Sequence, residues 1–299
     1  MRIGLAVWMA GAVAVCGAAE PGSRVKARVD AAIRTFGASS SGVVSLYAKN
    51  IATGVSHGVR EDEPVRTAST IKVPILVTLF AEVDAGRAQW DETVVLRAGD
   101  KVGGAGVLAE FSDGIALPLR DVARMMIVVS DNTATNLVLG RITADRVNEV
   151  LDELGLARTR SLRKILSAGG ATGHSKAGRE KANERYGIGV STPREMAMLL
   201  EKIERGEAVS KAASAEMIAI LKRQQFKDAI GRHTRYGVAS KSGALDRLRS
   251  DVGIVYAPKG PVVLALTVDG LPETDYSPDN RGMKLLGELS NILVEELTR

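Results

Sequence analysis

Cysteine is almost missing from this 299-residue chain, and the one present, Cys16, lies in the apolar stretch at its beginning. A single thiol excludes an internal disulfide framework, so the fold has to be held by its core. Histidine is scarce too. His57, His174 and His233 stand far apart without the spacing of zinc ligands, and neither a metal nor another cofactor is expected. Aromatic residues make up 4% of the chain and no basic run is interleaved with them, so a nucleic-acid partner is not expected. The net charge of +5 is spread over 40 basic and 35 acidic residues and implies only a mildly basic surface. No G-x-S-x-G elbow occurs, which removes the usual frame of a Ser-His-Asp hydrolase. The glycine-rich residues 102–106 lack the lysine and the preceding strand of a phosphate-cradling loop, and are expected to shape the wall of a site instead. Beyond residue 20 no apolar run is long enough to cross a bilayer.

What is present begins with a processing pattern. Met1 and Arg2 supply a short positive start, residues 3–15 are apolar and small, and Cys16-Gly17-Ala18-Ala19 offers small residues before Glu20. This predicts a secretory signal peptide over residues 1–19, cleaved near Ala19, and a periplasmic or secreted protein. Lipid anchoring at Cys16 is the alternative, disfavoured by the bulk of Val15. With 45% hydrophobic and 25% charged residues the remainder reads as an ordinary globule, long enough to bury a sizeable core.

Hydrophobic periodicity predicts a helix over residues 24–36, a strand over 42–48, a turn over 50–54 and a second strand near 55–59. From residue 67 to about 223 the pattern is helical, with helices over 70–85, 118–129, 132–140, 145–154, 193–204 and 214–223. Strand character returns over 238–242, 251–256 and 261–268, and an amphipathic helix follows over 283–297. The predicted class is α/β in the α+β sense. An antiparallel five-stranded sheet, contributed by residues 24–66 and 224–299, is flanked by terminal helices, and an all-helical lobe over 67–223 is inserted into it. A groove between two such lobes is a natural place for a site. Residues 167–189, rich in Gly, Ala, Lys and Arg, read as a long functional loop.

Three short motifs carry the chemistry. Ser69-Thr70-Ile71-Lys72 opens an apolar helix and puts a hydroxyl and an amine three residues apart, on one helical face. A serine hydroxyl needs an adjacent base, and a lysine can be one once burial lowers its pKa. The start of the helix adds unpaired N–H groups suited to an oxyanion. Ser130-Asp131-Asn132 lies between two helices. Asp131 is a natural cap for the second, Ser130 a proton-shuttling hydroxyl, and Asn132 an amide able to hold a substrate carbonyl or Lys72. Lys241-Ser242-Gly243, with Ala244 after it, sits on a predicted strand, where a glycine lets a substrate backbone come close.

The conjunction of S-x-x-K, S-D-N about 60 residues on and K-S-G about 110 further resembles the class A β-lactamase family of serine penicillin-recognising enzymes, with the D-Ala-D-Ala peptidases as relatives. The resemblance covers most of the chain after residue 20. It runs through Thr67-Ala68-Ser69-Thr70-Ile71-Lys72, Ser130-Asp131-Asn132-Thr133-Ala134-Thr135-Asn136-Leu137, Thr192-Pro193-Arg194-Glu195-Met196-Ala197 and the hairpin after Gly243. It implies a β-lactamase/D,D-peptidase-like fold and a small-molecule β-lactam or peptidoglycan-like peptide substrate, handled by a monomer. By the same resemblance Ser69 is the acylated nucleophile and Lys72 its base or part of its relay. Ser130 passes a proton to the leaving nitrogen, and Asn132 holds the acylamide side chain. Lys241 and Ser242 bind the carboxylate, and the Ser69 and Ala244 N–H groups form the oxyanion hole. Arg247 or Arg249 assists with the carboxylate; spacing does not choose between them.

One part of the family pattern is missing. Class A enzymes release their acyl group with a loop glutamate, in a run like R-x-E-x-x-L-N shortly before T-P. Here that place holds Ile165, and no acidic residue occurs between Glu153 and Glu180. Glu180 is the nearest candidate base and Glu184 the next. The expected activity is therefore a serine β-lactamase-type hydrolase working through acyl-Ser69, with slow release. A peptidoglycan D,D-peptidase or esterase-like hydrolase, or a penicillin-binding sensor without turnover, are the alternatives.

Overall fold

The structure, a computed structural model, describes residues 21–165 and 173–299. The proposed signal segment with Cys16, and residues 166–172 of the long loop, lie outside the described residues. A leading helix α1 (Pro21–Ser39) precedes strands β1 (Val43–Asn50) and β2 (Ser56–Val59). A two-residue β3 (Val65–Arg66) leads to helix α2 (Lys72–Asp84). Next come β4 (Thr93–Val95), β5 (Ala116–Pro118), α3 (Leu119–Val128), α4 (Asn132–Ile142) and α5 (Ala144–Glu153). After β6 (Arg160–Ser161), β7 (Gly189–Ser191), α6 (Pro193–Arg205) and α7 (Lys211–Lys222), the chain returns to the sheet. There it forms β8 (Val238–Leu245), β9 (Leu248–Ala257) and β10 (Gly260–Asp269), and ends in α8 (Arg281–Leu297).

The expected five-stranded antiparallel sheet has the order β2-β1-β10-β9-β8, so residues from both parts of the chain meet at the β1–β10 pair, in register from Val43 opposite Asp269 to Asn50 opposite Val262. Helices cover both faces, which is why Val262–Leu266 reads as an unbroken apolar run rather than an alternating one. One face packs on α1 and α8 through Val29, Leu264, Leu266, Leu289 and Leu293. The other packs on the helical lobe, whose centre is α2. Ten of the thirteen α2 residues are buried, the signature of a helix that is apolar all round.

Within and at the start of the helical lobe stand two small strand groups that hydrophobic periodicity did not show. The β4–β5 pair is one, and the three-stranded β3-β7-β6 sheet is the other. The helix expected from residue 70 opens as a tight 3-10 turn, Ala68–Ile71, before α2 begins. Elsewhere the helix ends follow local chemistry: Thr192 Oγ1 accepts from Glu195 N at 3.2 Å with Pro193 in the first turn, and Gly206 ends α6 at φ +76°. No helix among the described residues is long and apolar enough to cross a membrane.

Candidate active site

Ser69 sits in the 3-10 turn that runs straight into α2, and in such a turn residues three apart eclipse, so Ser69 and Lys72 project to the same side. Ala68 before it holds φ +47°, a left-handed value uncommon for alanine and of a kind that clusters at functional sites. β8 lies directly against this turn. A Cβ on Gly243 would stand 2.9 Å from Thr67 O and 3.1 Å from Ser69 N, so only glycine allows the approach. Ser69 is half-buried and opens on a cavity of about 700 Å³ whose walls include Ser130, Asn132, Ser242, Ala244 and Gly104.

Two buried amines converge on Ser130. Lys72 Nζ donates to Ser130 O at 2.6 Å and to Asn132 Oδ1 at 3.0 Å, and lies 3.2 Å from Ser130 Oγ. Lys241 Nζ donates to Ser130 Oγ at 3.0 Å and to Ser242 O at 2.7 Å. The motif spacing placed the Lys72 amine at Ser69. It makes no hydrogen bond there, because the Ser130 turn, at φ +56°, presents both a carbonyl and a hydroxyl to it. Burial drives the Lys72 pKa well below the ordinary lysine range, the neighbouring Lys241 cation adds to the effect, and Asp131 opposes it. Burial lowers Lys241 to about 7 against the pull of Asp251. With both Ser130 lone pairs facing amines, its own proton is left to point elsewhere.

Asn132 bridges. Its Oδ1 takes Lys72, its Nδ2 donates to Gly103 O at 3.0 Å and its backbone N–H to Ala105 O at 2.9 Å. Asp131 is the expected cap, accepting from Ala134 N at 2.8 Å, and it also accepts from Val107 N at 2.6 Å and Leu108 N at 2.8 Å. Residues 102–106 are thereby fastened as the wall beside Asn132.

β8 is the sheet's free edge. Ser242 N–H points off that edge, donating to Gln224 Oε1 at 2.9 Å, and in a strand the N–H two residues on points the same way. Ala244 N–H therefore points off the same edge, from a residue that lines the cleft with Ser69. Arg249, opposite Ala244 in the β8–β9 ladder, lines the cavity, held by the carbonyls of Leu245 and Leu248 at 2.5 Å and stacked 4.8 Å from the Tyr276 ring. Arg247 is absent from the cavity wall and bonds Leu271 O, so the structure separates the two arginines that spacing could not.

The acidic candidates fare differently. Glu180 and Glu184 are exposed and neither lines the cleft; Glu180 Oε2 takes the Asn183 amide at 3.2 Å. The structure does not bring Glu180 to Ser69, because it stands at the start of an exposed 3-10 turn, Lys181–Tyr186. Ile165 stands in the loop held by Asn136, which accepts from Ile165 N at 2.8 Å and donates to Ile165 O at 2.9 Å. Asp228, the one acid among the described cavity-lining residues, comes from the segment before β8.

Two residues at this site escaped sequence reasoning. Gln224 follows the last turn of α7 with no motif around it, and it is 1% exposed, with bonds to Ser240 and Ser242. Asp251 opens an apolar strand run, and an acid in that position was the available signal. It is fully buried, its Oδ2 accepts from Ile230 N at 3.0 Å, its Oδ1 has no partner, and burial raises it to about 7.

Comparison with known proteins adds an independent line. The profile described as the Beta-lactamase enzyme family matches residues 26–297. Beta-lactamase L2 of Stenotrophomonas maltophilia is 26% identical over 223 residues, covering 72% of this chain and 69% of the relative. A solved β-lactamase from Sphaerobacter thermophilus is 30% identical with a TM-score of 0.78, covering 92% of this chain and 97% of its own. A variant of PBP-A with leucine replaced by glutamate, solved as an acyl-enzyme complex with penicillin G, is 27% identical with a TM-score of 0.75, covering 90% of this chain and 96% of its own.

Proposed function

The chain belongs to the beta-lactamase enzyme family and is a serine β-lactamase-type hydrolase; from that premise we propose a class A reaction at Ser69 in which the acyl group forms faster than it is released. The observation that carries the reading is the Ser130 hydroxyl set between the Lys72 and Lys241 amines, 3.2 and 3.0 Å away, on the wall of the cavity that holds Ser69.

In this reading Lys241, Ser242 and Arg249 receive the substrate carboxylate, and Asn132 receives the acylamide. Ser69 Oγ attacks the lactam carbonyl, its proton passing to neutral Lys72, whose stem swings from Asn132 to reach it. The oxyanion rests on the Ser69 and Ala244 N–H groups. The C–N bond breaks as Ser130 gives its proton to the leaving nitrogen and is resupplied from the Lys72 ammonium, and an ester on Ser69 remains. Hydrolysis of that ester needs a base for water, and general-base help is typically worth ~10²–10⁴-fold. Ile165 at the Asn136 clasp supplies none, and this favours a second reading, a D,D-peptidase or a penicillin-binding sensor, over an efficient lactamase. The N-terminal pattern supports action outside the cytoplasm, and a cleft completed within one chain supports a monomer.

Mixing the purified protein with a chromogenic cephalosporin while following intact mass tests the proposal. A burst of about one equivalent of colour, an adduct on Ser69 and slow turnover afterwards are expected. Rapid colour without an adduct would instead mean an efficient lactamase, release of D-alanine from a D-Ala-D-Ala peptide would mark the peptidase, and neither colour nor adduct would overturn acylation at Ser69.

A further inference from the structure

We propose that Gln224 is a positioning residue that sets how strongly the cleft prefers carboxylate-bearing substrates, by competing with the substrate for the Ser242 proton. The inference deepens the reading above and rests on it.

The orientation of the Gln224 amide is fixed by its neighbours. Ser242 N–H can only donate, so the atom 2.9 Å from it is the oxygen, and the amide nitrogen is the end that donates to Ser240 Oγ at 3.0 Å. Ser242 Oγ lies 2.8 Å from the same oxygen, and a carbonyl oxygen cannot donate. The single Ser242 hydroxyl proton is therefore committed to Gln224. Towards the cleft Ser242 then shows lone pairs, which repel a carboxylate. Lys241 Nζ is 3.5 Å from Gln224 Oε1 as well, so the amide touches both groups that await the substrate anion.

A bound carboxylate has to draw the Ser242 proton away. It does so because a hydrogen bond to an ionised acceptor is roughly twice as strong as one to a neutral amide. Gln224 keeps the Ser242 N–H and loses the hydroxyl. A neutral substrate never enters this competition, since it has no anion to place on Ser242. The strength of the acceptor at position 224 thus sets selectivity between anionic and neutral substrates, while any change relayed through Lys241 to Ser130 falls on both alike.

The test compares benzylpenicillin with its methyl ester, the same strained ring without the anion, reading acylation of the whole protein by intact mass. Gln224→Glu strengthens the competitor and pairs with Lys241, so the penicillin-to-ester ratio of acylation efficiency should fall about tenfold through a higher half-saturating penicillin concentration, any effect passed through Lys241 to Ser130 being shared by the ester and cancelling in the ratio. Gln224→Met removes the competitor and should raise the ratio by about threefold. Opposite movements of the ratio are the signature that a purely structural role lacks, and ester acylation reports whether each variant has folded. Equal losses on both probes, or an unmoved ratio in either folded variant, would overturn the proposal while leaving acylation at Ser69 standing. A parent protein that acylates with neither probe would sink both.

Discussion

In the proposed reading, release of the acyl group hinges on residue 165. Asn136 grips its backbone from both sides, at 2.8 and 2.9 Å, so the position is set by a clasp that does not depend on the side chain. Ile165→Glu should therefore keep the loop while adding a carboxylate, and the lifetime of the Ser69 adduct should shorten by ~10²–10⁴-fold, read by intact mass after a penicillin pulse. An adduct as long-lived as the parent's would show that the loop does not face the ester. The amines make a second prediction. Lys72 acts as a base only when neutral, so acylation rises with pH through its lowered pKa. Lys241 binds the carboxylate only when charged, and that attraction is lost as pH rises through about 7. Benzylpenicillin acylation should lose efficiency relative to its methyl ester as pH rises through about 7, and the methyl ester should show no falling limb there. A falling limb common to both substrates would assign it to some other group.

At the scale of elements, Asp131 ties two pieces together with three hydrogen bonds: the start of α4 through Ala134 N, and the wall loop through Val107 N and Leu108 N. A Cβ on Gly106 would lie 2.2 Å from Asp131 Oδ2, so the loop can close on the carboxylate only with glycine there. Asp131→Ala removes a cap worth ~1 kcal/mol and orphans two further N–H groups, for a loss of about 2–4 kcal/mol in urea unfolding. Asp131→Asn, which keeps acceptor oxygen, should lose less, and a loss under about 1 kcal/mol for the alanine variant would refute the tie. The cap was legible in the sequence because S-D-N precedes an apolar helix; the bonds to residues 107 and 108 were not, because they span more than twenty positions. Most helices fell within two residues of expectation, α6 at Pro193–Arg205 against 193–204, while α1 and α7 each begin three residues earlier than their periodicity indicated and α1 ends three later. β6 and β7 could not be read, because strands of two or three residues carry no period. Gln224 is hidden for the same kind of reason, since its meaning lies in the strand edge it faces and not in its neighbours.

At the scale of the whole molecule the two lobes share one core. Tyr47, Ala239, Val252, Ile254, Val263 and Ala265 of the sheet belong to the same buried cluster as Ile75, Leu79, Met126 and Leu200 of the helical lobe. The sheet cannot close without residues from both parts of the chain, as the β1–β10 pairing shows, and β8 packs on the Ser69 turn where the bare Gly243 backbone allows it. The sheet keeps a second core against α1 and α8, but its other face and the helical lobe share one core, and the cleft between them exists only when both are formed. Such a molecule should unfold in a single cooperative transition despite its length. Tryptophan offers a local reporter, since Trp90 is the only one after residue 20 and packs edge-on against Phe80 of α2, 4.6 Å between ring centroids. In a chain beginning at Glu20, the urea midpoint of Trp90 fluorescence should coincide with that of far-ultraviolet circular dichroism, which reports the sheet and all helices together. Prior acylation of Ser69 should shift both midpoints by the same amount, because the ester contacts groups from both lobes. A fluorescence transition that runs ahead of the dichroism, or an acylation shift seen by one probe only, would mean that the helical lobe melts alone and that the shared core does not couple it to the sheet.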